Sequence, residues 1–172
     1  IVMGILYYLI LGALIIFVIM TLCIVKIKEN ERGVKFKAGK FNCIMEPGIH
    51  IVIPILEHYD VVDINTKTYP LLKNEFITKD NIKVKADTHF TFNIYDPEKA
   101  VLSVHHYYSV LFNLVEITMR NVIGTLDYKE LLYRKERTEN SVFEIVRTAS
   151  EEFGIKIEKI EIREIQKTKD NL

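Results

Sequence analysis

The side chains best able to do chemistry in this sequence are five histidines, two cysteines and a few serines near carboxylates. His105 and His106 are adjacent, and on a helix adjacent side chains point about 100° apart, so the pair does not suit a single metal ion. His50, His58 and His89 fall in separate predicted strands or turns, where hydrogen-bonded or solvated imidazoles are the simpler reading. Ser103 or Ser109 with His105 and Asp96 would supply a nucleophile, a base and an orienting carboxylate. All of these lie in one short helical stretch, however, and most chains of this size offer such a trio. Glu151-Glu152 reads as a solvated face. There is no G-x-S-x-G elbow, phosphate loop or dinucleotide fingerprint. No catalytic, cofactor-binding or metal-binding residues are expected, and no enzyme. Cys23 and Cys43 lie in unlike surroundings and make no disulfide framework. Cys23 is a candidate for acylation at a membrane edge, although an apolar filler explains it more simply.

What must position these residues begins with an abrupt change in composition. Residues Ile1 to Val25 carry no charge, and all 23 basic and 23 acidic side chains follow Val25. A helix of that length rises about 37 Å, enough to cross a hydrocarbon core of about 30 Å with some tilt. The run lacks proline, which favours a straight span over a re-entrant hairpin. It is too long for a signal peptide, and Thr21-Leu22-Cys23 offers no small-residue cleavage pattern. A helix of a globular core would show a polar face. Residues 1–25 are therefore expected to be a transmembrane helix. Lys26, Lys28 and Arg32 follow it, opposed by Glu29 and Glu31, so the positive-inside bias places the remainder on the cytoplasmic face of a cell membrane in a single-pass protein. That remainder is electrically balanced, which argues against nucleic acid as a partner.

Residues 26–165 have the size of one ordinary domain, followed by a polar tail, 166–172. Between 33 and 70, turn residues punctuate short strands, among them Ile49–Ile53 and Tyr59–Ile64. Ile82 to Ile94 alternates strictly. Ile82, Val84, Ala86, Thr88, Phe90, Phe92 and Ile94 share one face, and Lys83, Lys85, Asp87, His89, Thr91 and Asn93 the other, which predicts a long strand with one wet side. Asp96-Pro97-Glu98 starts a helix. Further helices are predicted at about 107–123, stopped by Gly124, at 127–132 after Asp127, and at 138–153, stopped by Gly154. Their apolar stripes are Val110, Leu111, Leu114, Val115, Thr118 and Val122 in the first, and Val142, Ile145, Val146, Ala149 and Phe153 in the last. A closing strand from Ile155 shifts phase between Ile157 and Ile160, which predicts a bulge at Glu158-Lys159. Strands, then helices, then a closing strand describe an α+β fold.

Several stretches, in order behind the apolar run, carry a resemblance. They are Glu31-Arg32-Gly33-Val34, Gly39-Lys40-Phe41, Pro47-Gly48-Ile49-His50 with Ile53-Pro54, Thr78-Lys79-Asp80-Asn81-Ile82-Lys83-Val84, Asp96-Pro97-Glu98-Lys99-Ala100, Arg120-Asn121-Val122-Ile123-Gly124, and Gly154-Ile155-Lys156-Ile157 with Ile160-Glu161-Ile162. Together they resemble the SPFH or Band 7 family of stomatins, prohibitins, flotillins and the HflK/HflC pair, most of all its prokaryotic stomatins. The resemblance implies a mainly antiparallel, curved sheet with packed helices. It also implies a non-catalytic scaffold that oligomerises at a membrane and organises or regulates membrane proteins or proteases, a membrane-bound serine protease among them. A dedicated small-stoichiometry adaptor of one membrane protease or channel is the alternative. Members usually continue from the closing strand into a long Ala/Glu/Arg-rich helix; residues 166–172 are either the start of that helix or the tail of a protein that lacks it. Glu31, Arg32, Gly33, Gly39, Pro47, Gly48, Pro54, Thr78, Lys79, Asp80, Asn81, Asp96, Pro97, Gly124 and Gly154 are then structural. Membrane lipids and further copies of the chain are the expected partners. Lys26, Lys28, Arg32, Lys35 and Lys37 are expected near lipid headgroups, with Ile44 and Met45 dipping into the interface. A solvated strand face for the cations, and a small satellite core for Ile44 and Met45, account for these residues equally well.

Overall fold

The computed structural model describes residues 10–12, 14, 21, 23–71, 75–103 and 106–168. The chain divides into two compact units, residues 1–63 and 64–172. The first unit holds β1 (Ile24–Ile27), β2 (Glu31–Lys37), β3 (Lys40–Met45), β4 (Gly48–Ile51) and β5 (Glu57–Asp63). Its strands form an antiparallel sheet in the order β3-β2-β5 and an antiparallel ribbon of β1 with β4. Ile27, Met45 and Val52 form a small core on which Val25 and Tyr59 pack. A Cβ on Gly33 would lie 2.5 Å from Met45 Cε, so glycine is what lets β2 close over that methionine.

The expected transmembrane helix, residues 1–25, lies mostly outside the described residues. Ile10, Leu11, Gly12, Leu14 and Thr21 are helical. Ile24 and Val25 are not: they belong to β1 and pair with Ile51 and His50, because Val25 finds partners in the small core. Among the described residues, no helix is long and apolar enough to cross a membrane.

The second unit holds β6 (Lys67–Pro70), β7 (Glu75–Ile77), β8 (Lys83–Ile94), α1 (Pro97–Ser103), α2 (Tyr107–Gly124), α3 (Tyr128–Tyr133), α4 (Lys135–Glu151) and β9 (Ile155–Lys167). Its sheet is antiparallel and the architecture is α+β. β8 pairs with β6 and β7 along one edge and with β9 along the other. Every even position of β8 from Val84 to Ile94 is buried, as the alternation predicts. Phe90 stacks on Phe92 and meets Phe112 of α2 edge-on at 4.9 Å.

The helix stripes differ in phase from those expected. In α2 the buried row is Leu111, Val115, Thr118, Met119 and Ile123. In α4 it is Thr138, Val142, Val146 and Ser150, leaving Ile145 exposed. Small polar residues fill the α4 row because Thr138 and Ser150 hydroxyls return their hydrogen bonds to Arg134 and Arg147 carbonyls. β9 bulges twice against β8. Glu158 is the extra residue between Ile157 and Lys159, where the phase shift predicts a bulge, and Arg163 is a second one between Ile162 and Glu164.

Candidate membrane-contact surface

The histidines are held singly. His50 Nε2 lies 2.6 Å from the Glu46 carbonyl oxygen, His58 Nε2 lies 3.3 Å from Asp60 and His89 Nδ1 lies 3.6 Å from Asp87. His105 lies outside the described residues, and Asp96 is occupied as a helix cap, accepting the Lys99 amide at 3.1 Å. Among the described residues, no group of three His, Cys, Asp or Glu side chains could hold a metal ion.

The ribbon is built differently from an ordinary surface hairpin. Its strands alternate, so Val25 and Ile27 turn inward while Ile24, Lys26, Ile49 and Ile51 share the outer face, with Ile24 opposite Ile51 and Lys26 opposite Ile49. On that face Ile24 is 55% exposed, Ile49 74% and Ile51 71%. The chain then turns through Ile53-Pro54-Ile55-Leu56, where Ile55 is 93% exposed and its two aliphatic neighbours also stay in solvent. Six large aliphatics thus stand exposed on one small unit, Ile24 on β1 and five within residues 49–56. Single exposed apolar residues are ordinary, but a contiguous set marks a surface meant to be covered.

An interior ion pair holds the turn in place. Lys35 Nζ lies 2.8 Å from Glu57, with side chains 14% and 10% exposed, and also donates to the Ile51 carbonyl at 3.2 Å. Glu57 accepts the Ile53 amide at 3.0 Å, while the Leu56 and Glu57 amides donate back to the Ile53 carbonyl. The Lys35 hydrogen bond, then the Ile53 amide, hold the Glu57 carboxyl below its ordinary value. A carboxyl lowered on folding adds stability above its unfolded value and loses it as pH falls through the folded one. The ordered turn is therefore expected to persist below the usual glutamate range. In an NMR titration the Ile53 amide should inflect at a lower pH than an ordinary glutamate, and Lys35→Gln should raise that inflection. An inflection at the ordinary value in both proteins refutes the assignment.

The membrane-facing residues read from sequence end up in different places. Lys26 is exposed on the outer ribbon face and makes no ion pair among the described residues, and Lys37 is exposed at the end of β2. Lys28 pairs with Glu31 and Arg32 with Glu46, at 3.0 and 3.1 Å. Lys35 faces inward, because Glu57 and the Ile51 carbonyl claim it. Met45 is buried in the small core rather than offered to lipid, and Ile44 is half-buried. Cys23 is half-buried, its carbonyl accepting the Val52 amide, and Cys43 is exposed. The exposed aliphatics 49, 51, 53, 55 and 56 went unread because Ile49–Ile53 was read only as a short strand, with no face assigned. Five apolar residues beside Pro54 do not say which face is inward.

The motif residues build corners. Asn81 takes φ 58°, and the Thr78-Lys79-Asp80-Asn81 turn is clasped to the α2–α3 junction: the Lys79 amide donates to Leu126 and the Tyr128 amide to Asp80. Hydrogen bonds from the Thr78 hydroxyl and then the Tyr128 amide lower the Asp80 carboxyl. Glu130 accepts the Asp127 amide at 3.5 Å, which closes a capping box at the start of α3. The SPFH domain / Band 7 family model matches residues 25–172.

The chain belongs to this family. An uncharacterized protein of Methanocaldococcus jannaschii is 35% identical over 164 residues, covering 95% of this chain and 82% of that protein. A stomatin homolog of Pyrococcus horikoshii is 33% identical, covering 81% of this chain and 53% of its own. Stomatin-like protein 3 of Mus musculus is 30% identical, covering 84% and 51%. The chain thus spans about half the length of these two stomatin relatives. SPFH proteins of the stomatin type are membrane-associated scaffolds rather than enzymes.

Proposed function

We propose that this SPFH chain is a single-pass membrane scaffold. The apolar residues before β1 anchor it, its remainder lies on the cytoplasmic side, and the outer face of the β1–β4 ribbon rests in the interfacial layer. Further copies assemble beside it, and the array organises or regulates membrane proteins, a membrane-bound serine protease being the kind of client that fits. The observation carrying this reading is the set of exposed aliphatics on the ribbon and its turn, the ribbon being formed in part by β1, which overlaps the end of the apolar run at Val25. Lys26 on the same face adds attraction to anionic headgroups, on the order of 1 kcal/mol.

The test is a nitroxide at Ile55→Cys, with Cys23 and Cys43 changed to serine, in the full chain reconstituted into vesicles. Collision with oxygen should exceed collision with a water-soluble nickel chelate, as expected for a label below the headgroups. A label as open to the chelate as one at Lys85→Cys overturns the contact. Sizing of the detergent-extracted protein tests the assembly: a monomer or dimer at every concentration excludes an array.

A further inference from the structure

The second unit carries an open cleft of about 930 Å³ between the α3–α4 junction and β9. Five cations reach it: Arg134, Lys135 and Arg137 from the start of α4, and Lys159 and Arg163 from β9. Three carboxylates line it as well, but two are already engaged. Glu139 accepts the Ile162 amide at 2.6 Å, and Glu161 is paired with Lys159. Arg134 has Glu130 at 3.7 Å. Lys135, Arg137 and Arg163 make no ion pair among the described residues, and the five cations of the lining exceed its three carboxylates by two.

Two features show that this surplus is built in. Lys135 and Arg137 occupy the first turn of a 17-residue helix, where the macrodipole disfavours cations. Arg163 is the extra residue of the second β9 bulge, and a bulge re-aims the side chain it carries. The Glu139 carboxylate secures that bulge by taking the Ile162 amide. The fold thus accepts an electrostatic penalty and a strand irregularity, and both bring cations into one cleft.

We propose that this cleft binds a phosphate ester. Two guanidinium groups suit bidentate pairing with phosphate oxygens, and the surplus of two positive charges in the lining matches a doubly charged group. The cleft has room for more than a bare ion, and Tyr133, 86% exposed at its rim, offers a ring and a hydroxyl to whatever the phosphate is attached to. The ester is either soluble or the headgroup of a phospholipid. The site depends on nothing in the β1–β4 ribbon.

Inorganic pyrophosphate is the first probe. Added to the full chain in neutral detergent, it should saturably shift the NMR signals of Lys135, Arg137 and Arg163. The double variant Arg137→Gln/Arg163→Gln should bind about a hundredfold more weakly, roughly tenfold for each charged hydrogen-bonding group removed. Glu136→Gln should bind more tightly, which a purely structural role would not produce. Lys85→Gln, on the wet side of β8, should leave binding unchanged. In phosphatidylcholine vesicles, added phosphatidic acid should weaken pyrophosphate binding at these residues if the natural ligand is a headgroup, and leave it unchanged if the ligand is soluble. Absence of a saturable shift overturns the proposal. So does an equal loss in Lys85→Gln, or binding of polyglutamate without pyrophosphate, which would mark an acidic protein partner instead.

Discussion

Gly154→Ala is expected to cost the second unit about 3 kcal/mol. Gly154 has φ 69°, a region that costs other residues roughly 1–2 kcal/mol. The added Cβ would stand 2.5 Å from the Asp96 carbonyl oxygen and 2.9 Å from Asp96 Cβ, and relieving such overpacking costs about 1–3 kcal/mol more. The backbone cannot simply move away. The Gly154 carbonyl accepts the Tyr95 and Asp96 amides at 3.1 and 3.2 Å, and the Tyr95 hydroxyl donates to the Glu151 carbonyl. One glycine thereby locks the end of β8 to the turn between α4 and β9. Gly124→Ala provides the contrast. That glycine ends α2 without a positive φ, and an added Cβ would meet nothing closer than the Ile77 carbonyl oxygen at 3.9 Å. The change there should be neutral or stabilising by about 0.5–1 kcal/mol. Chemical denaturation of the two variants beside the parent decides the matter, and equal midpoints for all three would refute the corner argument.

The same pair of glycines shows what could be read from the residues alone. Both fit a motif and both stop a helical pattern, so both were placed as helix ends. The sequence could not say which one also carries a close backbone approach, because Asp96 is distant in the chain. β8 was legible residue by residue, since strict alternation over its length leaves one solution for which face is buried. The phase shift after Ile157 located the Glu158 bulge. The Arg163 bulge left no such trace, because Arg163 and Glu164 are both charged and either could occupy an exposed position. On α4, Ile145 outranked Thr138 and Ser150 by hydrophobicity, yet the latter two are buried once their hydroxyls bond to the helix backbone. In the first unit the basic residues after Val25 were visible as a cluster, but not their sorting. Lys35 turns inward to Glu57 and Lys26 outward, a consequence of strand register that composition does not encode. For the same reason the aliphatics of the lipid-contact proposal were not singled out, and of the two readings open for Met45 it is the small core that the structure shows.

Ile49→Ser/Ile51→Ser/Ile55→Ser is expected to lift the ribbon from the bilayer while leaving the first unit folded. Full burial of an isoleucine side chain is worth about 1.5–3 kcal/mol, and seating in the interfacial layer would realise part of that, about 1 kcal/mol for each residue. Losing three such contributions should reduce the inserted fraction by about a hundredfold. Because the proposed anchor before β1 would still hold the chain to the membrane, vesicle flotation would not report the change. A nitroxide at Ile53→Cys will: its preference for oxygen over the nickel chelate should disappear in the triple variant. The fold should survive, since the three side chains are 71–93% exposed and lie outside the small core. Ile27→Ser, at a position 2% exposed in that core, should instead unfold the unit whether or not lipid is present. Lys26→Glu separates the electrostatic part: it should weaken insertion into anionic vesicles and leave neutral vesicles unaffected, because an apolar face needs no headgroup charge to be covered. If the triple variant keeps its label at parental depth, the aliphatics are covered by protein instead. Cross-linking between copies at position 55 would then follow assembly rather than lipid content.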